Sequence, residues 1–214
     1  MLSLPAALAP MAAYKQFIVY KLVPSLSRPG KMDKLPCDFR TARVVSAHDP
    51  QYWTDSGTAI AAAANYGVDY GVGFSFSDND DFWFLDIDNC LQADNTWSPL
   101  AVGLCSYFNG CAVEVSQSGT GLHIFGSGRS THHRCKNTDL GLEFYTSERF
   151  VALTGNGAIG DAAYNADNLL PGLVSTYFAT ENIEQSGWSE GPCEGWKGPA
   201  DDEELIRRAL RSKS

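Results

Sequence analysis

Two carboxylates close a strongly apolar stretch of this 214-residue chain, FWFLDID at residues 82–88, in which the acids are Asp86 and Asp88. Its aromatic and aliphatic residues predict a strand, and alternate side chains of a strand share a face. Both acids therefore lie on one face, with Cα atoms roughly 7 Å apart. Such anions repel each other unless a cation lies between them, and oxygen ligands at this spacing suit Mg²⁺ or Mn²⁺. The alternative is a strand end that runs into a solvated acidic turn.

A third acid, Glu143, lies in the segment GLEFYTSERFVALTG at residues 141–155. In a strand it shares one face with Tyr145. A single glutamate among apolar residues is usually an exposed-face residue, so Glu143 gains interest only if its strand lies beside the one that carries Asp86 and Asp88. Three carboxylates around two metal ions is an arrangement that nucleotidyl transfer uses.

A glycine-rich turn precedes a histidine in SQSGTGLHIFG, residues 116–126. The glycines of such a turn allow backbone N–H groups and nearby hydroxyls to converge on a phosphate. The residues concerned are Ser118, Gly119, Thr120 and Gly121, and His123 follows on the next strand, where its ring could donate to a phosphate oxygen. No Gly-Lys-Ser/Thr follows and no helix is predicted, so this is not a Walker loop. A structural histidine is the alternative.

Two groups of basic residues precede residue 140, although the net charge is −9. That charge disfavours a nucleic-acid partner without excluding one, because a metal-binding carboxylate cluster counts as negative until the metal is bound. One group falls within residues 15–43 and includes Lys31 and Lys34. The other, in a loop predicted over 129–139, comprises Arg129, Arg134 and Lys136. His132, His133 and Cys135 of that loop match no closed zinc pattern, so we interpret it as a mobile basic segment near phosphates.

The elements that must position these residues alternate between strands and helices. An α+β class with a mainly antiparallel sheet and helices on one face is expected. Residues 77–81 carry turn chemistry and predict a hairpin, with Asp78, Asp80 and Asp81 solvated. Strands are predicted over 16–23, 71–76, 82–88, 112–118, 122–128, 141–146 and 149–154; helices over 54–66 with Thr54 as the cap, 98–109, 167–178 and 201–214; and loops over 24–38 and 129–139.

Taken in order, FLDIDNC, SQSGTGLHIFG and GLEFYTSERFVALTG resemble three motifs of the archaeo-eukaryotic primase superfamily, particularly the primase-polymerase domains of phages and plasmids. That family carries an h-D-h-D strand, in which h is a hydrophobic residue, then an S-x-G-x-H strand and a strand with a third acid. The early segment KLVPSLSRPGKMDKLP and the closing DDEELIRRAL are also similar, so the resemblance spans about residues 15–212. Cys37 departs from it, where an aromatic residue is expected.

The resemblance implies an RRM-like palm with a small N-terminal α/β part. It implies that Asp86, Asp88 and Glu143 bind Mg²⁺ or Mn²⁺ and that Ser118, His123 and Arg149 contact the nucleotide, near Tyr145. Lys31 and Lys34 would touch DNA or the triphosphate. The expected activity is template-directed nucleotidyl transfer, and the expected partners are a single-stranded DNA template, dNTP or NTP, and a downstream helicase or other replication region.

We expect three regions in the chain: a flexible extension over 1–14, a catalytic domain over 15–180, and a linker with a terminal helix over 181–214 that leads toward a further region. Cysteines without a C-x-x-C pair favour a reduced, cytoplasmic location, in a phage- or plasmid-bearing bacterial cell. Two other functions stay open: a catalytically silent nucleotide- or DNA-binding module on the same fold, and a metal-dependent nuclease or nickase. A histidine-hydrophobic-histidine nickase is disfavoured, because HIF has a single histidine.

Overall fold

Two antiparallel sheets form the framework of the protein. The computed structural model describes residues 3–180 and, beyond them, Glu203, Ile206, Arg207 and Leu210. The strands are β1 (Phe17–Pro24), β2 (Met32–Cys37), β3 (Tyr70–Phe76), β4 (Phe82–Ile87), β5 (Ala112–Val115), β6 (Leu122–Ser127), β7 (Lys136–Asn137), β8 (Leu142–Tyr145) and β9 (Arg149–Leu153). Sheet one has the order β2-β1-β3-β9 and sheet two the order β5-β6-β4-β8-β7. The predicted α+β class and antiparallel pairing are confirmed, but the described residues contain two sheets where one was expected.

Sheet one contains a strand that the sequence did not predict. β2 pairs antiparallel with β1, and Tyr20 lies opposite Pro36. The segment MDKLPC was assigned to a loop because aspartate, lysine and proline are poor strand formers. β2 is an edge strand of sheet one, however. A proline, which cannot donate a backbone hydrogen bond, is tolerated in an edge strand because that strand has a neighbour on one side only.

The connection over residues 77–81 joins two sheets instead of closing a hairpin. β3 pairs with β1 and β9, whereas β4 pairs with β6 and β8. The buried Asp80 holds this crossover, because its carboxylate accepts hydrogen bonds from Ser77 N at 3.0 Å, Phe82 N at 2.9 Å and Gln16 Nε2 at 2.6 Å. The expectation of a solvated Asp80 was therefore wrong. Burial raises the pKa of the Asp80 carboxyl, an effect that these hydrogen bonds oppose.

Sheet two is covered on both faces. One face carries Trp83, Leu85, Ile124 and Phe144, which are fully buried against the helical segments α2 (Pro99–Tyr107), α3 (Leu170–Leu173) and the π-helical turn Val174–Phe178 that follows α3. The other face carries Phe82, Phe84 and Phe125, which join a core cluster with Phe74 and Phe76 of sheet one. The same face also carries Asp86, His123 and Glu143, which lie farther along its strands.

Helix α1 (Ser56–Tyr66) begins two residues after the predicted start at residue 54, and its cap is the residue that follows Thr54. Asp55 is its cap, since a carboxylate oxygen accepts from Thr58 N at 2.8 Å. Thr54 instead exchanges backbone hydrogen bonds with Phe17. Ala59 and Ala63 of the helix are buried in the cluster shared by the two sheets.

Residues 1–14, expected to be a flexible extension, include a 3₁₀ segment at Ala6–Ala13. Leu8 and Met11 are 0% exposed and belong to the core cluster shared by the two sheets. Prolines interrupt α-helical hydrogen bonding here, but apolar burial holds the segment in place.

Residues Glu181–Ser214 form a separate unit, of which the four described residues are helical. The predicted linker and most of the predicted terminal helix lie outside the described residues. None of the described helices is long and apolar enough to cross a membrane.

We predict that Leu8→Ala lowers the free energy of unfolding by about 2–5 kcal/mol, because it removes a fully buried side chain and leaves a cavity. Leu26→Ala is the matched control, since Leu26 is 103% exposed. Urea unfolding of both variants measures the difference. Equal stabilities would show that the N-terminal segment is not part of the core.

Candidate active site

A single row of charged and titratable residues crosses the whole of sheet two. In the register of its strands, Asp86 lies opposite His123 on one side and Glu143 on the other. His123 in turn lies opposite Glu114, and Glu143 lies opposite Lys136. Directly opposed residues of antiparallel strands point to the same face, with neighbouring strands about 4.8 Å apart. The three residues predicted from separate motifs are thus brought together on β6, β4 and β8.

Asp86 occupies the middle of this row. Its Oδ1 is buried without a hydrogen-bond partner, and the nitrogen paired with it, His123 Nε2, lies 3.9 Å away. Burial raises the pKa of the Asp86 carboxyl; Asp88 and Glu143 raise it further, while His123 and Lys34 oppose them. A buried anion with repelling neighbours and a free oxygen is a position that a cation would stabilise.

Asp88 lies just beyond the end of β4, where its side chain is exposed. Its backbone N–H donates to Gly141 O at 2.8 Å, which fixes the strand end beside the segment leading into β8. Asp86 and Asp88 line the same cleft of about 840 Å³, together with His123 and Glu143. The alternation predicted for the D-x-D strand is therefore consistent with both acids facing one space.

Glu143 is held by three donors. Lys136 Nζ lies 2.9 Å from Oε1, and Arg149 and Tyr145 donate to Oε2 at 2.7 and 3.0 Å. The Arg149 guanidinium also lies over the Tyr145 ring, 4.4 Å from its centroid. Burial alone would raise the pKa of Glu143, but the Lys136 hydrogen bond and the Arg149 charge outweigh it and leave that pKa below its usual value.

The turn between β5 and β6 closes next to the end of β4. Ser118 Oγ lies 3.0 Å from both Ser116 Oγ and Thr120 Oγ1, so the hydroxyls form a chain. Gly119 has a φ of +77°, which favours glycine. Gly121 permits a close approach, because a Cβ there would lie 2.8 Å from the carbonyl oxygen of Ile87.

The opposite wall of the cleft comes from the β1–β2 hairpin of sheet one. Arg28, Lys31 and Lys34 line it. Desolvation by the surrounding protein lowers the pKa of the Lys34 ammonium group, although the residue keeps part of its surface in solvent. The negative charges of Asp86 and Asp88 oppose that shift. Cations of sheet one thus face the carboxylates of sheet two across the cleft.

Not every predicted site residue lies in this cleft. Its lining includes Ser118, Thr120, His123, Arg149, Lys31 and Lys34 as well as the three acids. Gly119 lines a neighbouring depression. Gly121 and Tyr145 do not line the cleft; Gly121 packs against Ile87 O, and Tyr145 donates to Glu143. Lys136 is the residue of β7 that contacts Glu143, so the assignment of residues 136 and 137 to a loop was wrong.

Two basic residues of that loop have other partners. Arg129 pairs with Asp81 at 3.0 Å, and Arg134 donates to Tyr177 O at 3.2 Å. Within the described residues, no three histidine, cysteine, aspartate or glutamate side chains are gathered tightly enough to make a metal site alone. Mg²⁺, however, is commonly bound by one or two carboxylates together with substrate phosphates and water.

The sequence reasoning missed Glu114, Arg28 and Gln117. Arg28 and Gln117 line the cleft, and Glu114 contacts His123. Glu114 lies between Val113 and Val115, a pattern that normally indicates a solvent-facing glutamate. Glu114 could have been identified from its position opposite His123, but that position is known only once β5 is known to pair with β6.

No protein-family model matches the chain. Over 158 residues the chain is 30% identical to a DNA primase-polymerase of Nitratiruptor phage NrS-1. The match covers 70% of this chain and 20% of the phage protein, so the chain spans about a fifth of that relative's length. A relationship to a phage primase-polymerase is therefore supported over most of the chain.

We predict that Mn²⁺ or Mg²⁺ raises the melting temperature of the wild-type protein, because a ligand that binds only the folded state stabilises it. Asp86→Asn should abolish most of this increase and, without metal, raise the free energy of unfolding by up to about 2 kcal/mol, since repulsion at the site is relieved. Thermal melts with and without metal measure both effects. Asp78→Asn, on an exposed residue of the crossover, is the control and should behave as wild type.

Proposed function

We propose that residues 15–180 are the catalytic domain of a primase-polymerase, which joins dNTP or NTP units on a single-stranded DNA template. One observation carries the proposal: Asp86 lies between His123 and Glu143 in one row of sheet two, beside a cleft with cations on its far wall. Sheet two is the proposed palm. The similarity to a phage primase-polymerase supports the same function.

Asp86 and Asp88 are the proposed ligands for Mg²⁺ or Mn²⁺. The unpartnered Asp86 Oδ1 fits such an ion, and the hard oxygens of both acids suit it. When bound, the ion would supply Lewis-acid stabilisation of the triphosphate and of the attacking 3′-hydroxyl. Glu143 is the proposed third acid, and its Oε1, which accepts a single hydrogen bond from Lys136, keeps a lone pair that could meet a metal.

The remaining residues of the cleft would hold the nucleotide. His123 Nε2 and the hydroxyls of Ser118 and Thr120 lie on the side of sheet two, and Lys34 and Arg149 supply positive charge near them. Charge-assisted hydrogen bonds of this kind orient a triphosphate strongly. Lys31, at the hairpin, is placed to contact either the triphosphate or the template backbone.

The engagement of Glu143 favours a second candidate, a nucleotide-binding module without catalysis. A carboxylate that neutralises Lys136 and Arg149 is a stable arrangement in itself and needs no metal. The two candidates differ in one result: the module would bind nucleotide but incorporate none.

We predict that Asp86→Ala, Asp88→Ala and Glu143→Ala each abolish nucleotide incorporation while the protein stays folded. Each change removes a carboxylate from the proposed metal and triphosphate site. Primer extension and circular dichroism measure the two properties, with Asp69→Ala on the exposed surface as the control. Full activity in a folded variant would remove that residue from the site.

We predict that His123→Ala weakens nucleotide binding by about 1.5–3 kcal/mol, the value of one hydrogen bond to a charged group. Template binding should change little, because His123 is 2% exposed and its Nε2 is assigned to the phosphates of the nucleotide. Titrations with a nucleotide and, separately, with single-stranded DNA make the comparison. An unchanged nucleotide affinity would contradict the assignment of His123.

The experiment that tests the function itself is incorporation of labelled nucleotide on a single-stranded template, with and without a supplied primer and with Mg²⁺ or Mn²⁺. Template-dependent products that disappear in Asp86→Ala support the proposal. Binding of nucleotide without any product supports the silent module, and metal-dependent cleavage of the template supports a nuclease.

A further inference from the structure

The most deeply buried carboxylate of the site belongs to none of the three motifs. Glu114 has a side chain that is 0% exposed, yet it lies on β5 between two valines. A buried charge needs compensating hydrogen bonds to remain in a folded protein. Glu114 obtains them from two sources, the His123 ring and the backbone that follows β9.

The first source is the imidazole of His123. Its Nδ1 lies 3.0 Å from Glu114 Oε1, while Nε2 faces the cleft, 3.9 Å from Asp86 Oδ1. A carboxylate only accepts hydrogen bonds, so Nδ1 must carry the proton of this contact. The partner of one ring nitrogen fixes the ring plane and the role of the other nitrogen.

The second source is a pair of backbone N–H groups. Thr154 N donates to both carboxylate oxygens, at 3.1 and 3.2 Å, and Gly155 N donates to Oε2 at 2.7 Å. These groups hold Oε2, so that Oε1 stays turned toward His123. Thr154 Oγ1 donates to Val115 O at 2.6 Å and ties the same turn to β5 without contacting Glu114.

We propose that Glu114 is a positioning residue for His123: it holds Nδ1–H and presents Nε2 to the phosphates of the bound nucleotide. The inference rests on the proposed function for the nucleotide, but the contact itself does not. A phosphate oxygen is also only an acceptor, so a ring that meets one at Nε2 carries hydrogens on both nitrogens. A carboxylate at Nδ1 is the partner that such a positively charged ring requires.

Glu114→Gln is an informative variant, because its amide cannot replace both oxygens. Facing Thr154 N and Gly155 N, the side chain must offer its oxygen and turn its NH₂ group toward His123. Nδ1 then becomes an acceptor, and the ring proton moves to Nε2. The ring is neutral in this state, and a neutral hydrogen bond is roughly half as strong as a charge-assisted one.

Two measurements test the proposal. Nitrogen-15 NMR of the imidazole should show a proton on Nδ1 of His123 in the wild-type protein and a neutral ring protonated at Nε2 in Glu114→Gln. Titration with dATP should show about a 5–10-fold loss of affinity in Glu114→Gln, a larger loss in His123→Ala, and no further loss in the double variant, because the first residue acts only through the second. Glu148→Gln, the same change on an exposed glutamate, should stay within about twofold of wild type.

Three results would overturn the proposal. One is a wild-type His123 with a bare Nδ1, which needs no variant to observe. Another is a Glu114→Gln effect of equal size with and without His123, which would assign Glu114 a purely structural role. The third is an equal loss in Glu148→Gln, which would show that the loss does not depend on the contact with His123. A wild-type protein that binds no dATP would contradict the proposed function instead, while the spectrum would still decide the contact.

Discussion

The register of β6, β4 and β8 decides where the charged groups of this protein meet. Because opposed residues of antiparallel strands share a face, one alignment places His123, Asp86 and Glu143 side by side. A slip of one residue in β8 would turn Glu143 to the apolar face that packs against the helices. The burial of Phe84 and Phe144 on opposite faces of the sheet holds this register in place.

The row places carboxylates in partly or fully buried positions, where a negative charge costs free energy unless it has hydrogen-bond or ion-pair partners. Glu114 is satisfied by His123 and by backbone N–H groups, and Glu143 by Lys136, Arg149 and Tyr145. Asp86, between them, retains an oxygen without a partner. The unsatisfied group lies in the centre and the satisfied ones lie on its flanks, so the preference for a cation is concentrated at Asp86 and at Asp88 beside it.

Much of the fold followed from sequence pattern, and its failures have identifiable causes. Alternating aromatic and aliphatic residues located β1, β3, β4 and β6 to within a residue or two. The prediction of a hairpin at residues 77–81 was wrong because turn residues indicate that the chain changes direction, but they do not indicate which strand the next strand pairs with. β2 was missed because an edge strand tolerates polar residues and a proline.

Site residues could be predicted where a single sequence motif contained them. They could not be predicted where the contact between them depends on which strands pair. The D-x-D spacing and the turn before His123 could be interpreted locally. Glu114 could not, because a glutamate between two valines indicates an exposed face until β5 is known to lie beside β6. The same holds for Lys136, whose contact with Glu143 depends on a two-residue strand, β7.

The most direct measurement is a crystal structure of the protein with Mn²⁺ and a non-hydrolysable dNTP, in which anomalous scattering locates the metal. If the row across sheet two is the site, the Mn²⁺ signal lies between the carboxylates of Asp86 and Asp88. The triphosphate then extends toward His123 Nε2, with Lys34 on its other side. A metal bound elsewhere, or a nucleotide bound outside this cleft, would contradict that assignment.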